Sequence, residues 1–248
     1  MLYPNNVKKI DAVLLTHGHA DAILGLDDLR SWTGVSSHNP TPVYLSEETM
    51  SVVSRTFPYL VDPSLATGGG AVASLEFHII NNLSLPFQLF GVFIQPLLVE
   101  HGVCPNGEVF WNLGYMFDDQ IAYIADANAI PDSTFTLMIS TQVKALVIDA
   151  LRENPHKSHF GVHQAMQVIA TIRPSVAYFT GLCHQAEHYA LEKWLEEQRL
   201  HEGVVRTHVA WDGLKIVAPD WIEFTPAIEP VKLRPNGARK YDFWNETR

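Results

Sequence analysis

The sequence has little cysteine and no long apolar run. Its 248 residues include only two cysteines, Cys104 and Cys183, too few for a disulfide framework, and this favours a reducing compartment. No apolar stretch approaches the roughly 20 residues that a membrane helix needs. The first residues also lack the basic-then-apolar pattern of a secretory signal. We therefore expect a cytoplasmic protein without a membrane partner.

Positive charge is scarce as well. Lysine and arginine number 17 against 27 aspartates and glutamates, which gives a formal net charge of -10. This balance disfavours a protein that holds a nucleic-acid backbone over a broad basic surface. A small phosphate ester remains compatible, because a bound cation reverses the local charge. We expect a small-molecule ester substrate and no nucleic acid, and a homodimer is left open.

The apolar pattern predicts one α/β domain over 1–218 and a proline-rich, charged C-terminal tail over 219–248. Hydrophobic residues make up 47% of the chain, enough to bury a full core. Short apolar runs alternate with amphipathic segments, which is typical of sheets covered by helices. The predicted strands are 10–15, 42–45, 93–99, 121–124, 145–148 and 176–179, and the predicted helices are 22–32, 47–53, 163–172 and 189–200.

Histidine, by contrast, is abundant and clustered, with 12 copies in the chain. His17, His19 and Asp21 directly follow the first predicted strand. Side chains two apart in an extended segment project to the same side, so these three can converge on one point. Two imidazoles and a carboxylate suit zinc, manganese or iron. A lone histidine is more often structural, but this alternation at a strand end predicts a metal site.

Ligand-type residues follow other predicted strands too. His101 comes after one apolar run, Asp126 after a second and His184 after a third. One such position means little, because any strand must end somewhere. Together with the His-x-His-x-Asp segment, the three predict the rim of a single cleft.

Three segments resemble the metallo-β-lactamase superfamily, and within it the branch of the carbon-phosphorus lyase accessory phosphodiesterase and its fungal and plant relatives. The resemblance runs from Lys9 to Ala218 and implies an αββα sandwich of two sheets between helices. The segments that carry it are Leu-Leu-Thr-His-Gly-His-Ala-Asp-Ala-Ile-Leu-Gly-Leu-Asp-Asp-Leu-Arg, Tyr-Ile-Ala-Asp, and Val-Ile-Asp-Ala-Leu-Arg-x-x-Pro-His-x-Ser-His-Phe.

This resemblance implies a metal-dependent hydrolase, with one or two Zn²⁺ or Mn²⁺ ions that activate a water for attack on a phosphodiester or cyclic phosphate. Asp126 would bridge the two ions, and Asp21 would belong to the second ion and help to orient the water. His159 would donate a proton to the leaving oxygen. The first ion would be held by His17, His19 and His101.

The sequence also departs from the family pattern. Ala22 and Gly181 stand where relatives carry histidines, so the second metal site would keep Asp21 and Asp126 and gain His184. Relatives also carry strands before the histidine-bearing strand, whereas this sequence begins almost at it. The resemblance therefore predicts a sandwich that lacks its first N-terminal strands.

These departures keep two rival functions open. One is a catalytically impaired or truncated member of the fold that acts as a binding module, and the other is a hydrolase of acyl esters or thioesters. Of the remaining candidates, we expect Asp149 to orient a ligand or the Arg152 loop, and Cys183 to be a small buried residue. Of the other histidines, His163 and His188 are expected at the surface and His156 in a loop as a hydrogen-bonded residue. The isolated histidines, His38, His78, His201 and His208, are expected to be structural.

Overall fold

The computed structural model describes residues 9–33, 40–199 and 203–216. Two sheets face each other, and each carries helices on its outer side, so the expected α/β class is confirmed. The proposed boundary at 218 and the tail 219–248 lie outside the described residues, as do His38 and His201.

The first sheet is small and parallel, with the strand order β1-β2-β3. The helix α3, which follows β2, begins where the sequence predicts, because the side chain of Ser46 accepts a hydrogen bond from the Thr49 amide at 3.2 Å. Gly25 lies in the 3₁₀ segment Leu24–Leu29, which interrupts the helix predicted over 22–32. The elements are β1 Val13–Leu14, α1 Ala20–Ile23, α2 Arg30–Thr33, β2 Thr41–Leu45, α3 Glu47–Thr56, α4 Pro58–Val61, the 3₁₀ turn Pro63–Leu65 and β3 Leu75–Ile79.

The second sheet is mixed and has seven strands in the order β10-β9-β8-β7-β6-β5-β4. The strands from β4 to β7 pair antiparallel, and those from β7 to β10 pair parallel. Parallel strands need crossovers, which α5, α6 and α7 supply. The elements are β4 Phe87–Leu89, β5 Val92–Val103, β6 Val109–Phe117, β7 Ile121–Ile124, α5 Asp132–Ser140, β8 Ala145–Asp149, α6 Val162–Ile172, β9 Val176–Thr180, α7 His188–Gln198 and β10 Thr207–Val209.

Apolar clusters hold the layers together. One joins the second sheet to its helices and includes Leu146, Ile148 and Ile169. Another joins the first sheet to its own helices through Val43 and Val53. A smaller cluster lies between the sheets and consists of Ile94, Leu113 and Tyr115 with partly buried neighbours. Among the described helices, none is long and apolar enough to cross a membrane.

The predicted elements include no strand at β3, β4, β6 or β10 and no helix at α4 or α5; β6 shows the physical reason for one of these omissions. Two residues typical of turns, Asn112 and Gly114, interrupt the apolar run of β6. In the sheet, however, Gly114 is a packing requirement, because a Cβ there would lie 2.6 Å from the Tyr123 carbonyl oxygen. Asn112 is buried, and its amide donates to the carbonyls of Ala125 and Asp126, at 2.8 Å each. Both residues therefore belong to a buried strand.

Two hydrogen bonds join the sheets directly where β1 ends. The buried Tyr115 hydroxyl donates to the Leu15 carbonyl at 2.6 Å, and the Leu113 amide donates to the Thr16 carbonyl at 3.0 Å. The segment that enters the His-x-His motif is thus fixed against β6.

We predict that Tyr115→Phe lowers the free energy of unfolding by about 1–3 kcal/mol, because the substitution removes the buried donor to Leu15. Urea denaturation measures this change. Tyr189→Phe is the control, since Tyr189 is 56% exposed, and it should change stability by about 0.5 kcal/mol or less. Equal stability of the two variants would contradict a structural role for the hydroxyl.

Candidate metal centre

The loop between β1 and α1 carries His17 and His19. His17 is buried, with 1% of its surface exposed. Its Nδ1 lies 2.9 Å from the Thr16 hydroxyl oxygen, whereas its buried Nε2 has no hydrogen-bond partner among the described residues. Gly18 allows the loop to lie against α3, because a Cβ there would meet Val52 Cγ2 at 2.8 Å. The loop therefore holds a buried imidazole nitrogen that still needs a partner.

His101 completes a three-histidine cluster with His17 and His19. One ring nitrogen of each lies within 4.8 Å of the others, and His101 Nε2 is 3.2 Å from His19 Nδ1. The Ser158 carbonyl lies 2.6 Å from His101 Nδ1. Because a carbonyl only accepts, Nδ1 carries the proton and a neutral His101 presents the Nε2 lone pair to the cluster. Phe110 stacks on the His19 ring, with centroids 4.7 Å apart and planes 3° apart.

Burial keeps the inner rings of this cluster uncharged. It lowers the pKa of His17 to about 4, and His19 acts in the same direction. Burial also lowers the pKa of His101, although the Ser158 carbonyl opposes that shift. Neutral imidazoles are the form that binds metals, and a partnerless buried nitrogen fits an ion as its partner. The residues present therefore fit a divalent cation.

Asp126 and His159 form a second group with His101, again with ligand atoms within 4.8 Å of one another. Asp126 follows β7 in the left-handed region, at φ 52°, and the Asn112 amide described above fixes its backbone. Its carboxylate lies 3.6 Å from His159 Nδ1. The two groups share His101, so together they form one continuous centre at the strand ends of both sheets.

A buried carboxylate, Asp149, orients His159. Its Oδ2 lies 2.7 Å from His159 Nδ1 and accepts a hydrogen bond from the Ala127 amide at 3.1 Å. The hydrogen bond between His159 and Asp149 raises the pKa of His159, whereas burial acts in the opposite direction. Burial in turn raises the pKa of Asp149. The geometry agrees with the expectation that Asp149 orients a ligand rather than the Arg152 loop, and it leaves the other nitrogen of His159 for a second partner.

Two predicted ligands lie outside both groups. Asp21 is exposed in the first turn of α1, yet its charge opposes the lowering of the His17 pKa and contributes to the raised pKa of His159. His184 is exposed in the loop after β9. Their assignments as ligands stay predictions. Sequence reasoning assigned no role to Phe110, Asn112 and Ser158. Phe110 and Asn112 touch the centre through tertiary contacts and leave no motif, whereas Ser158 lies in a quoted segment but acts through its backbone carbonyl.

A cavity of about 520 Å³ adjoins the three-histidine cluster. His17, His19, Phe110 and Trp111 are among the residues that line it. This volume lies within the range of about 300–1,000 Å³ typical of small-molecule sites. The centre thus borders a space that a substrate can enter.

Comparisons with known proteins agree on the fold and differ on chemistry. A family model described as the β-lactamase superfamily domain matches residues 2–182. A solved structure described as a new diphosphatase from the PhnP family is 30% identical, with a TM-score of 0.67, and the match covers 84% of this chain and 70% of that chain. YhfI from Bacillus subtilis, a metallo-β-lactamase fold protein, is 19% identical, with a TM-score of 0.57 and coverage of 81% and 74%. These likenesses confirm the expected fold class.

A curated protein described as an octanoyltransferase, from Porphyromonas gingivalis (strain ATCC BAA-308 / W83), is 26% identical over 212 residues. The match covers 85% of this chain but only 38% of that protein. The chain thus spans well under half the length of this relative.

Gly181, where relatives of the resembled family carry a histidine, lies against Asp149. Its φ is 73°, and a Cβ there would lie 2.8 Å from Asp149 Oδ1. We predict that Gly181→Ala lowers the free energy of unfolding by about 1–3 kcal/mol, since it combines a disfavoured φ with this contact. Chemical denaturation measures the loss.

The matched control is Gly69→Ala. Gly69 also has a positive φ, 67°, but a Cβ there would meet nothing within 4 Å, so this variant isolates the backbone cost. If Gly181→Ala is no more costly than Gly69→Ala, the contact with Asp149 does not restrict the position.

Proposed function

We propose a function from one premise: the chain belongs to the β-lactamase superfamily domain family. We propose that it is a metal-dependent hydrolase that cleaves a phosphodiester or a cyclic phosphate. The observation that carries this proposal is the convergence of His17, His19 and His101 around the partnerless Nε2 of His17. Fold alone does not fix chemistry, so the argument rests on the residues of the site.

In this proposal His17, His19 and His101 would hold one Zn²⁺ or Mn²⁺ ion, and Asp126, whose carboxylate lies within 4.8 Å of the His101 ligand atom, is the residue that we assign to both ion positions. Asp21 and His184 are the further ligands that we assign to the second position. A divalent cation bound here would acidify a water and polarise the scissile ester. The neutral state of the inner imidazoles supports the assignment, because cation binding requires it.

The remaining side chains handle protons and orientation. The carboxylates of Asp126 and Asp21 accept hydrogen bonds from the attacking water and hold it in line. His159 donates a proton to the leaving oxygen, and its raised pKa favours the protonated form that this role needs. Asp149 keeps the imidazole in one orientation through the 2.7 Å contact.

An acyl ester or thioester is the second candidate substrate. The similarity to a protein described as an octanoyltransferase supports it, and so does the apolar character of the cavity walls Leu83, Leu98 and Trp111. The diphosphatase relative favours a phosphate ester instead. If the protein binds metal but hydrolyses no ester, the result would support a non-catalytic binding module instead.

The first test is metal content per chain, with turnover of bis(4-nitrophenyl) phosphate and of 4-nitrophenyl acetate before and after chelation. We expect bound divalent metal and turnover of the phosphodiester that the chelator abolishes. His17→Ala should lose the metal and lower kcat/KM by about 100-fold or more, since it removes a ligand. His188→Ala, on the first turn of α7, is the control and should retain both. Full turnover by metal-free protein would refute the proposal.

We predict that Asp149→Asn lowers kcat about tenfold or more while metal content stays unchanged, because an amide cannot replace the carboxylate that orients His159. Steady-state kinetics with metal analysis measures both quantities. Asp212→Asn, at an exposed position, is the control. Unchanged kcat in Asp149→Asn would remove Asp149 from the mechanism.

A further inference from the structure

We propose that the cavity beside the three-histidine cluster binds an uncharged apolar group of the substrate, and that it excludes a second anionic group. The inference rests on the proposed function and names its substrate class: an ester that carries a short alkyl or aryl substituent. This chemistry is shared by an alkyl phosphodiester and by an acyl ester of similar length.

The walls of the cavity are mainly apolar. Val52 from α3, Leu83 from the loop before β4, Leu98 from β5 and Trp111 from β6 contribute side chains to it. Trp111 remains 46% exposed, so it has surface available for a ligand. Burial of apolar ligand surface against such walls is favourable by about fourfold in affinity per methylene.

The cavity lies directly beside the residues assigned to the ion. His17 and His19 line it, and Phe110 both lines it and stacks on the His19 ring. A group that fills the cavity is therefore adjacent to an ester held at the cluster. The cavity thus suits a substituent of the substrate rather than a remote ligand.

The charge around the cavity disfavours anions. Glu48 and Glu108 line it with exposed carboxylates. Lysine and arginine are absent from the described residues that line it. An added phosphate or carboxylate on the substituent would face two like charges with no cationic side chain to offset them. Diphosphates and other polyanionic esters therefore fit this cavity poorly.

The kinetic experiment compares methyl, butyl and hexyl 4-nitrophenyl phosphate with the 5-carboxypentyl ester, which adds one negative charge. We expect kcat/KM to rise about threefold to fourfold per methylene, mainly through KM, and to fall about tenfold from hexyl to carboxypentyl. The 4-nitrophenyl acetate, butyrate and hexanoate series forms the second arm. The arm that shows turnover with this dependence identifies the phosphate or the acyl source.

Glu108→Gln tests the charge argument, and it should reduce the penalty on the carboxypentyl ester about threefold to fivefold. Glu196→Gln removes an exposed carboxylate of α7 outside the cavity and is the matched control. If both variants leave the penalty unchanged, the exclusion of anions does not come from the cavity.

A binding measurement separates this inference from the hydrolase proposal. Ligand-observed NMR compares 1-hexanol, 1-butanol and hexanoate on the protein after metal removal, with Trp111→Ala as the variant. We expect 1-hexanol to bind about tenfold tighter than 1-butanol, hexanoate to bind more weakly than 1-hexanol, and Trp111→Ala to weaken 1-hexanol binding about threefold or more.

Chain-length-dependent binding without turnover of any ester would support the apolar site and refute the hydrolase. Turnover with no dependence on chain length, together with no binding of 1-hexanol, would retain the hydrolase and overturn the apolar site.

Discussion

The arrangement of the centre depends on one constraint, the burial of two uncharged imidazoles, His17 and His101, which face a common point together with the exposed His19. Three ring nitrogens lie within 4.8 Å of one another, but the direct contact between His19 and His101 leaves His17 Nε2 without a partner. An unsatisfied buried polar atom costs about 1–3 kcal/mol, and the surrounding contacts preserve this arrangement rather than relieve it. The Ser158 carbonyl fixes one ring, and Phe110 fixes another. This combination is typical of a site prepared for a ligand.

Features that depend on neighbouring residues could be predicted from the sequence, whereas features that depend on tertiary contacts could not. Short apolar runs and strand-end positions are local signals. They correctly indicated β2, β5, β7, β8 and β9, and they predicted one cleft for His17, His19, His101 and Asp126, which lie in two groups that share His101. The contacts of Phe110 and Asn112 with the centre could not be predicted, because they are tertiary contacts without a sequence period. Ser158 lies in a quoted segment, but its role comes from its backbone carbonyl, which every residue has. Gly181 was interpreted only as a lost histidine. In the fold it is a close contact to Asp149 at a positive φ, which only the tertiary structure defines.

The comparisons show the fold family but not the reaction. A structure described as a diphosphatase and a protein described as an octanoyltransferase both resemble this chain, although the match covers only 38% of the second protein. The fold alone therefore does not fix the chemistry, which depends on what surrounds the centre of this chain. In this chain the surroundings are apolar walls with two carboxylates, in a protein whose formal net charge is -10. The ion assigned to the centre would be the principal local source of positive charge. Affinity for an anionic ester would then depend on the ion, and selectivity among esters would depend on the cavity.

The centre is divided between two sheets. His19 and His101 are 82 residues apart, and the segment that carries His17 contacts the second sheet through the hydrogen bonds of Tyr115 and Leu113. Contacts of such long range form slowly, since the loop must close before they contribute. In the unfolded chain these histidines are far apart, whereas in the docked structure their ring nitrogens lie close together. Tight binding of an ion should therefore require that the two sheets are correctly docked, and the bound ion should in turn stabilise the docked state.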